Sequence, residues 1–407
     1  MNNVDKQYLE LLQDILDNGV YKETRSGTVR SVFGRMMKFN LKEGLPLLTT
    51  KKVFTKGVIH ELLWFLKGDT NIKYLVDNGV HIWSDDALRW FKTLDLYSLK
   101  REWFKDKNSK DNEGYYDEEE IFYHGGYILM EMQYLTQNYY VKFLNSEERI
   151  KVLPEVFQKN ITKELFEEYS SKQAYIERCD VYEGKERNHH IIYHFGDLGE
   201  IYGKQWRKFG TSERDQIKWI IDTLKTNPDD RRMIMTGWNP DVIDEIALPA
   251  CHIFAQFWTR ELSAQERLEW LWEHSNNEYD EWKNPTHEML DKLNVPRRAL
   301  SCSFTMRSTD EICGLPFNIA SYACLTYIIA NICNMSAEEL IYFGNDIHVY
   351  ENHVELALKQ LKRKGYTKLP KLIIKRQLTD IDDINYDDFE IDNYKANDSI
   401  KFPLNVG

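Results

Sequence analysis

Residues 319–332 form the longest apolar stretch of the chain, and they constrain its fold more than any other segment. Ser321, Asn331 and two tyrosines interrupt the run. A bilayer span needs about 20 predominantly apolar residues, so this stretch is too short and too polar to cross one. It reads instead as a buried helix. A helix apolar on all sides must be enclosed by other elements. With 407 residues, 42% of them hydrophobic, the chain can build that enclosure. Length alone permits two or three domains.

The formal net charge is −12 and the pI about 5.5. Nucleic acids and anionic membranes favour basic surfaces, so neither is expected as the main partner. A local basic pocket is compatible with an acidic whole. The six cysteines, at 179, 251, 302, 313, 324 and 333, form no CxxC pair, and no Cys/His spacing reads as a metal site. That usage fits a reducing cytosol. The first six residues, Met1 to Lys6, lack the basic-then-apolar order of a signal peptide, so a cytoplasmic protein is expected.

Residues 4–18 carry apolar side chains at helical spacing, and Gly19 ends the pattern. Residues 28–40 alternate loosely and read as strands, with Gly34 as a turn or bulge. Val58 to Leu66 is a strongly apolar helix that nevertheless contains His60 and Glu61. Gly68-Asp69-Thr70-Asn71 ends it and caps the next helix. Residues 87–195 and 261–299 differ from the rest. They are charged, dotted with Tyr or Trp, and free of catalytic patterns. Both hold enough aromatics to fold. They read as insertions in one catalytic domain spanning 1–407.

Cys251 lies in Leu248-Pro249-Ala250-Cys251-His252, between the pair Arg231-Arg232 and the run Met306-Arg307-Ser308-Thr309-Asp310. Guanidiniums lower a thiol's pKa and also suit a phosphate monoester. The pattern suggests an enzyme that binds a phosphorylated small molecule and attacks it with Cys251. The alternative for an isolated cysteine is a place in the core. A cysteine hydrolase using Cys251 and His252 is disfavoured, because adjacent residues seldom form a nucleophile–base pair and no third orienting group is evident.

Five separated segments point the same way. They are Arg25-Ser26-Gly27-Thr28; His60 to Leu66 with Gly68 to Ile72; Gly199 to Arg207; Arg231-Arg232 through Trp238-Asn239 to Cys251-His252; and Arg307-Ser308 with Asp310, Gly314 to Tyr322 and Asp346-Ile347-His348-Val349-Tyr350. Over residues 1–86, 196–260 and 300–407 this order closely resembles the thymidylate synthase family, which includes the phage pyrimidine hydroxymethylases. The resemblance implies an α+β fold, a large mixed β-sheet flanked by helices, with one sheet face forming a homodimer interface. It implies dUMP as substrate and 5,10-methylenetetrahydrofolate as one-carbon donor.

The resemblance also implies roles. Cys251 would add to C6 of the pyrimidine, dividing one hard step into easier ones. Arg25, Arg307 and Ser308 would hold the phosphate, with Arg231 and Arg232 reaching in from the neighbouring subunit; a two-fold homodimer follows. A surface pair is the plain alternative for those two arginines. Glu61, costly on an apolar helix unless used or paired, would run a water network as general acid/base. Tyr202 would assist removal of the C5 proton. His348 and Tyr350 would bond the ribose 3′-hydroxyl. Asp310 would hold the folate pterin, with Ile82, Trp83, Gly314 and Phe317 around it. Lys51 would meet the glutamate tail, or else be a solvated lysine. Asn318 would read the base: an amide can donate to O4 and accept from N3–H of uracil, a pattern cytosine reverses.

The first half of the reaction is common to both branches of the family; the product depends on whether hydride or water reaches the C5 methylene. Ala250 stands where synthases usually have Pro, Met306 where Gln is usual, and Cys313 where a Leu meets folate. Asn405 and Gly407 alter the closing tail, and the large insertions suit a viral enzyme acting in host cytoplasm. These departures favour a deoxyuridylate hydroxymethylase. Retained Trp83, which shields the methylene, favours the alternative, thymidylate synthase. A non-catalytic nucleotide- or RNA-binding protein is a remote third reading.

Overall fold

The computed structural model describes residues 1–94, 136–144, 146–182, 185–275, 282 and 284–403. The chain divides into two units, residues 1–70 with 200–407, and residues 71–199. In chain order the strands are β1 (Val20–Thr24), β2 (Gly27–Asn40), β3 (Thr136–Phe143), β4 (Arg149–Val152), β5 (Ala174–Tyr182), β6 (Lys185–His194), β7 (Ile234–Thr236), β8 (His252–Glu261), β9 (Arg298–Asp310), β10 (Ser336–Tyr350), β11 (Lys371–Ile374) and β12 (Phe389–Asp392).

The larger unit is built on a six-stranded sheet in the order β1-β2-β10-β9-β8-β7. Neighbours are antiparallel except β9 and β10, which are parallel. Parallel strands require a crossover, and the helix Gly314–Ile332 supplies it. This is why the apolar run is buried: the helix packs on β9, β10 and the helix Thr55–Leu66. Phe304 of β9 stacks on Tyr322 at 4.2 Å. By length and composition the helix passes the test for a membrane span, but it is mostly enclosed by the fold. The α+β class and the mixed sheet flanked by helices agree with the sequence reading.

The helix Asn3–Asn18 buries Val4, Tyr8, Leu11, Leu12 and Ile15, and Asn2 caps it by accepting the Asp5 N–H. Only glycine fits at its end, because a Cβ on Gly19 would stand 2.3 Å from the Ile15 carbonyl. The 28–40 segment is one continuous strand. Gly34, at φ +73°, is skipped in the pairing with β10 between Phe33–Asp346 and Arg35–Gly344, so it bends β2 without ending it.

The sheet face away from the crossover helix is open and partly apolar. Met36, Phe343, Thr305 and Phe254 form one cross-strand row by register, and Phe33, Met36, Phe343 and Trp258 are exposed.

Between β8 and β9 the helices Ala264–His274 and His287–Lys292 form an ordered excursion. Leu268, Leu271, Leu290 and Val295 make its small core, with Trp270, Trp272 and Trp282 packed against it. Arg267 is fully buried there and bonds Asp291, His287 and the carbonyls of Val295 and Pro296, which satisfies its charge.

The smaller unit carries an antiparallel sheet, β4-β3-β5-β6, with helices Lys73–Asp77, Ser84–Thr93, Pro154–Asn160 and Lys163–Ser171. Phe91, Phe166, Tyr193 and Phe195 form its aromatic centre, with ring centroids 5.0–5.8 Å apart. The abundant aromatics of the expected insertion therefore do form a core. Ile82 and Trp83 belong to this unit.

Candidate active site

Strand register gathers the site. The Arg307 N–H donates to the Cys251 carbonyl at 2.8 Å, so the residue before β8 lies beside β9. On the other side of β9, Ser308 pairs with Asp346 and Asp310 with His348. Cys251, Arg307, Ser308, Asp310, His348 and Tyr350 thus converge at one end of the sheet. The β1–β2 turn joins them: Tyr350 pairs with Val29 at the start of β2, and an added Cβ on Gly27 would stand 4.0 Å from the Tyr350 ring. His348 lies edge-on to Tyr350 at 5.3 Å and 3.6 Å from Asp346, which takes Lys22 at 2.8 Å and Ser31 at 2.6 Å.

Cys251 is a half-buried thiol outside any disulfide. Its N–H donates to the Tyr202 hydroxyl at 2.6 Å. The Arg307 guanidinium donates to the carbonyls of Ala250 and Pro249 at 2.8 and 2.9 Å and lies 5.4 Å over the Trp238 ring. Two of its five donors are spent on this loop, and the fork is fixed beside the thiol. A cation anchored in this way favours a thiolate and an incoming anion alike.

Tyr202 is buried, and burial together with the Cys251 charge raises its pKa, so the phenol keeps its proton. His252 turns away from the site. It stacks on Tyr202 at 4.0 Å, meets the Tyr322 hydroxyl through Nδ1 at 2.9 Å, and burial lowers its pKa to about 3. A neutral imidazole held this way is no base for Cys251, which removes the hydrolase reading.

Glu61 is buried on the helix Thr55–Leu66. Phe65, one turn later on the same face, packs on Tyr202 at 5.1 Å and His252 at 5.9 Å. The carboxyl therefore shares the face that abuts the Cys251 support. An added Cβ on Gly57 of this helix would stand 2.6 Å from the Phe54 ring and 3.3 Å from the Phe317 ring, so the helix approaches Phe317 closely here.

At the start of the crossover helix, Asp310, Gly314 and Asn318 form a second cluster. The Asp310 carboxylate accepts the N–H groups of Ile312 and Cys313 at 2.8 and 3.1 Å. Asn318 donates through Nδ2 to the Gly314 carbonyl at 3.0 Å, leaving its oxygen and second N–H for a ligand. An added Cβ on Gly314 would approach Asn318 and Asp310 only to 3.7 and 3.8 Å, so the space before both is open.

Lys51 is 7% exposed and donates to the Ile312 carbonyl at 2.5 Å, which excludes the solvated lysine; burial lowers its pKa to about 8. Arg231 and Arg232 are exposed just before the edge strand β7, and Arg232 forks onto Asp230 at 2.6 and 3.0 Å, the geometry of a surface pair within this chain. Asn405 and Gly407 fall outside the described residues. Trp238, named from the sequence only within a motif, lies under Arg307, and Glu311, which the sequence reading leaves without a role, is fully buried. Glu311 follows the polar end of β9, Ser308-Thr309-Asp310, so local composition gives no signal of its burial.

The thymidylate synthase family model matches residues 6–406. The thymidylate synthase of Coxiella burnetii (strain RSA 493 / Nine Mile phase I) is 33% identical over 405 residues, covering 98% of this chain and all of the relative. The thymidylate synthase of Listeria monocytogenes serotype 4b (strain F2365) is 34% identical with the same coverage.

Proposed function

The chain belongs to the thymidylate synthase family, folate-dependent one-carbon transferases that act on dUMP, and we propose on that premise that it converts dUMP to dTMP. The geometry that carries this reading is Cys251 held between Tyr202 and Arg307, with Asn318 presenting a free donor and acceptor. 5,10-Methylenetetrahydrofolate supplies the one-carbon unit and the hydride. The open space before Gly314, with the Asp310 carboxylate beside it, suits a pterin ring bearing N–H donors.

The chain's own residues then have these tasks. Arg25, Arg307 and Ser308 take the phosphate. The Cys251 sulfur bonds to C6, and the electron pair of the C5–C6 bond moves toward O4, where the Asn318 N–H steadies it. Arg307 favours the sulfur as thiolate before the attack. His348 and Tyr350 orient the ribose. Tyr202, protonated, and Glu61 on the adjacent helix face serve the proton transfers at C5 and O4. Loss of the C5 proton and later expulsion of the sulfur from C6 restore the ring.

The expected hydroxymethyl product is not carried forward. Both relatives bear the name thymidylate synthase. Two of the departures that favoured water are accommodated without opening the site. Met306 is buried. Ala250 contributes its carbonyl, which any residue supplies. The product assay decides between the branches: with dUMP and methylenetetrahydrofolate, dTMP and dihydrofolate in equal amounts are expected. 5-Hydroxymethyl-dUMP with tetrahydrofolate would reverse the assignment. A covalent complex with 5-fluoro-dUMP, absent in Cys251→Ser, identifies the nucleophile.

The protein is read as a cytoplasmic homodimer paired through the open sheet face of Met36, Phe343, Phe254 and Trp258, with Arg231 and Arg232 serving the neighbouring site. Support comes from the exposed apolar row and from the position of both arginines at the sheet edge; six cysteines outside any disulfide fit a reducing compartment. Mixing inactive Cys251→Ser with inactive Arg231→Ala should restore activity through hybrid dimers. A monomer by light scattering, or no restoration, would refute the shared site.

A further inference from the structure

Asp310, Cys313 and His353 come from the end of β9, the turn before the crossover helix and the turn after β10. One donor atom from each lies within 4.8 Å of the others. A carboxylate, a thiol and an imidazole are zinc ligands. The Cys313 sulfur already lies within 4.8 Å of an Asp310 carboxylate oxygen. The Asp310 carboxylate is aimed by two backbone N–H groups. His353 Nε2 donates to the Pro403 carbonyl at 2.7 Å, which leaves the lone pair of the neutral ring on Nδ1. Metal-bound histidines ordinarily make such a bond through the nitrogen that is not the ligand. Zinc bonds of about 2.0–2.3 Å hold tetrahedral ligands roughly 3–4 Å apart, so closure by about an ångström completes the geometry.

We propose that Asp310, Cys313 and His353 bind one zinc(II) ion, with the fourth position open to water or a ligand. On binding, zinc replaces the proton of the Cys313 thiol, which passes to solvent. The thiolate and the Asp310 carboxylate then cancel the two positive charges. Neutrality matters here because the buried Lys51 ammonium acts on both groups. A neutral site places no net cation beside it. Asp310 cannot hold zinc and a pterin in the same geometry, so metal should oppose folate binding; that consequence rests on the function proposed above, whereas the site rests on its three donors.

The test uses full-length Cys251→Ser protein, so that the nucleophile is not a competing ligand. Cobalt(II) is the probe. One equivalent should bind with a thiolate-to-cobalt charge-transfer band, and zinc should displace it. Cys313→Ser and Cys313→Ala, each checked for folding by circular dichroism, should lose the band and bind zinc about 100-fold more weakly. Absence of the band in the parent, or a band and affinity unchanged in either folded variant, overturns the proposal. dUMP binding by the same metal-free protein reports separately on the proposed function, and its loss would count against that function alone.

Discussion

The Tyr202 hydroxyl accepts the Cys251 backbone N–H at 2.6 Å, so one phenol both positions the nucleophile and keeps a proton to donate. Tyr202→Phe leaves that N–H without its partner, a loss of about 1–3 kcal/mol. Because the loss falls at the sulfur rather than at the phosphate site, kcat should drop by roughly 10- to 100-fold with a smaller change in the KM for dUMP. Steady-state kinetics checks this; an unchanged kcat would remove Tyr202 from the chemistry.

Asn318 is held in one orientation, since only its nitrogen can face the Gly314 carbonyl at 3.0 Å. Its remaining groups match uracil. Asn318→Asp places a carboxyl oxygen against that carbonyl, which disfavours the ionised form there. The residue then offers the base acceptors only, the arrangement the cytosine amino group needs. The kcat/KM for dUMP should fall by at least about 100-fold, and dCMP should become the better substrate. Unaltered preference in a competition assay would show that another group reads the base.

Much of this was readable before any coordinates. The apolar run 319–332 announced a central helix, and its crossover role follows from the strands on either side. Cys251, Arg307, Ser308 and Asp310 share one neighbourhood because adjacent strands carry them. Lys51 was harder. Its burial depends on the Ile312 carbonyl, far along the chain, and local composition holds no trace of that contact. Arg231 and Arg232 lie at an edge whose purpose a second copy of the chain would supply. The Asp310–Cys313–His353 grouping escaped notice for a similar reason: zinc patterns are read from short spacings, and here the third donor is 40 residues from the second.

Asp5 ties the first helix to the segment that delivers Lys51. Its buried carboxylate accepts from the Thr49 and Thr50 N–H groups at 2.9 and 3.1 Å, from both threonine hydroxyls, and from Asn2 at 2.7 Å. Gln360, Arg363 and Asn397 reach the same two threonines. Asp5→Ala strands several buried donors and should cost about 3–5 kcal/mol in urea unfolding. Below the new melting point kcat should hold while Lys51 stays placed. A loss under 1 kcal/mol would mean that the segment is fixed by its other partners.

Glu311 presents the opposite case, a charge-capable group with nothing to hold it. Its backbone is used, accepting from the Tyr8 hydroxyl at 3.1 Å and donating to the His348 carbonyl at 3.0 Å. Its side chain is 0% exposed, and neither carboxylate oxygen has a hydrogen-bond partner among the described residues. Burial, with Asp310 adding to it and Lys51 opposing, raises its pKa well above the ordinary 4.5. The folded state therefore keeps a proton that the unfolded chain releases, and stability from this group falls as pH rises above 4.5. Glu311→Met, similar in size and unable to titrate, escapes that penalty. Its advantage should be small near pH 4.5 and widen by about 1.4 kcal/mol per pH unit until the folded-state pKa is reached. Urea unfolding of both proteins at pH 5.5 and 7.5 measures the difference; a gap that stays flat or narrows with pH would show that the Glu311 carboxyl is ionised and paired in solution.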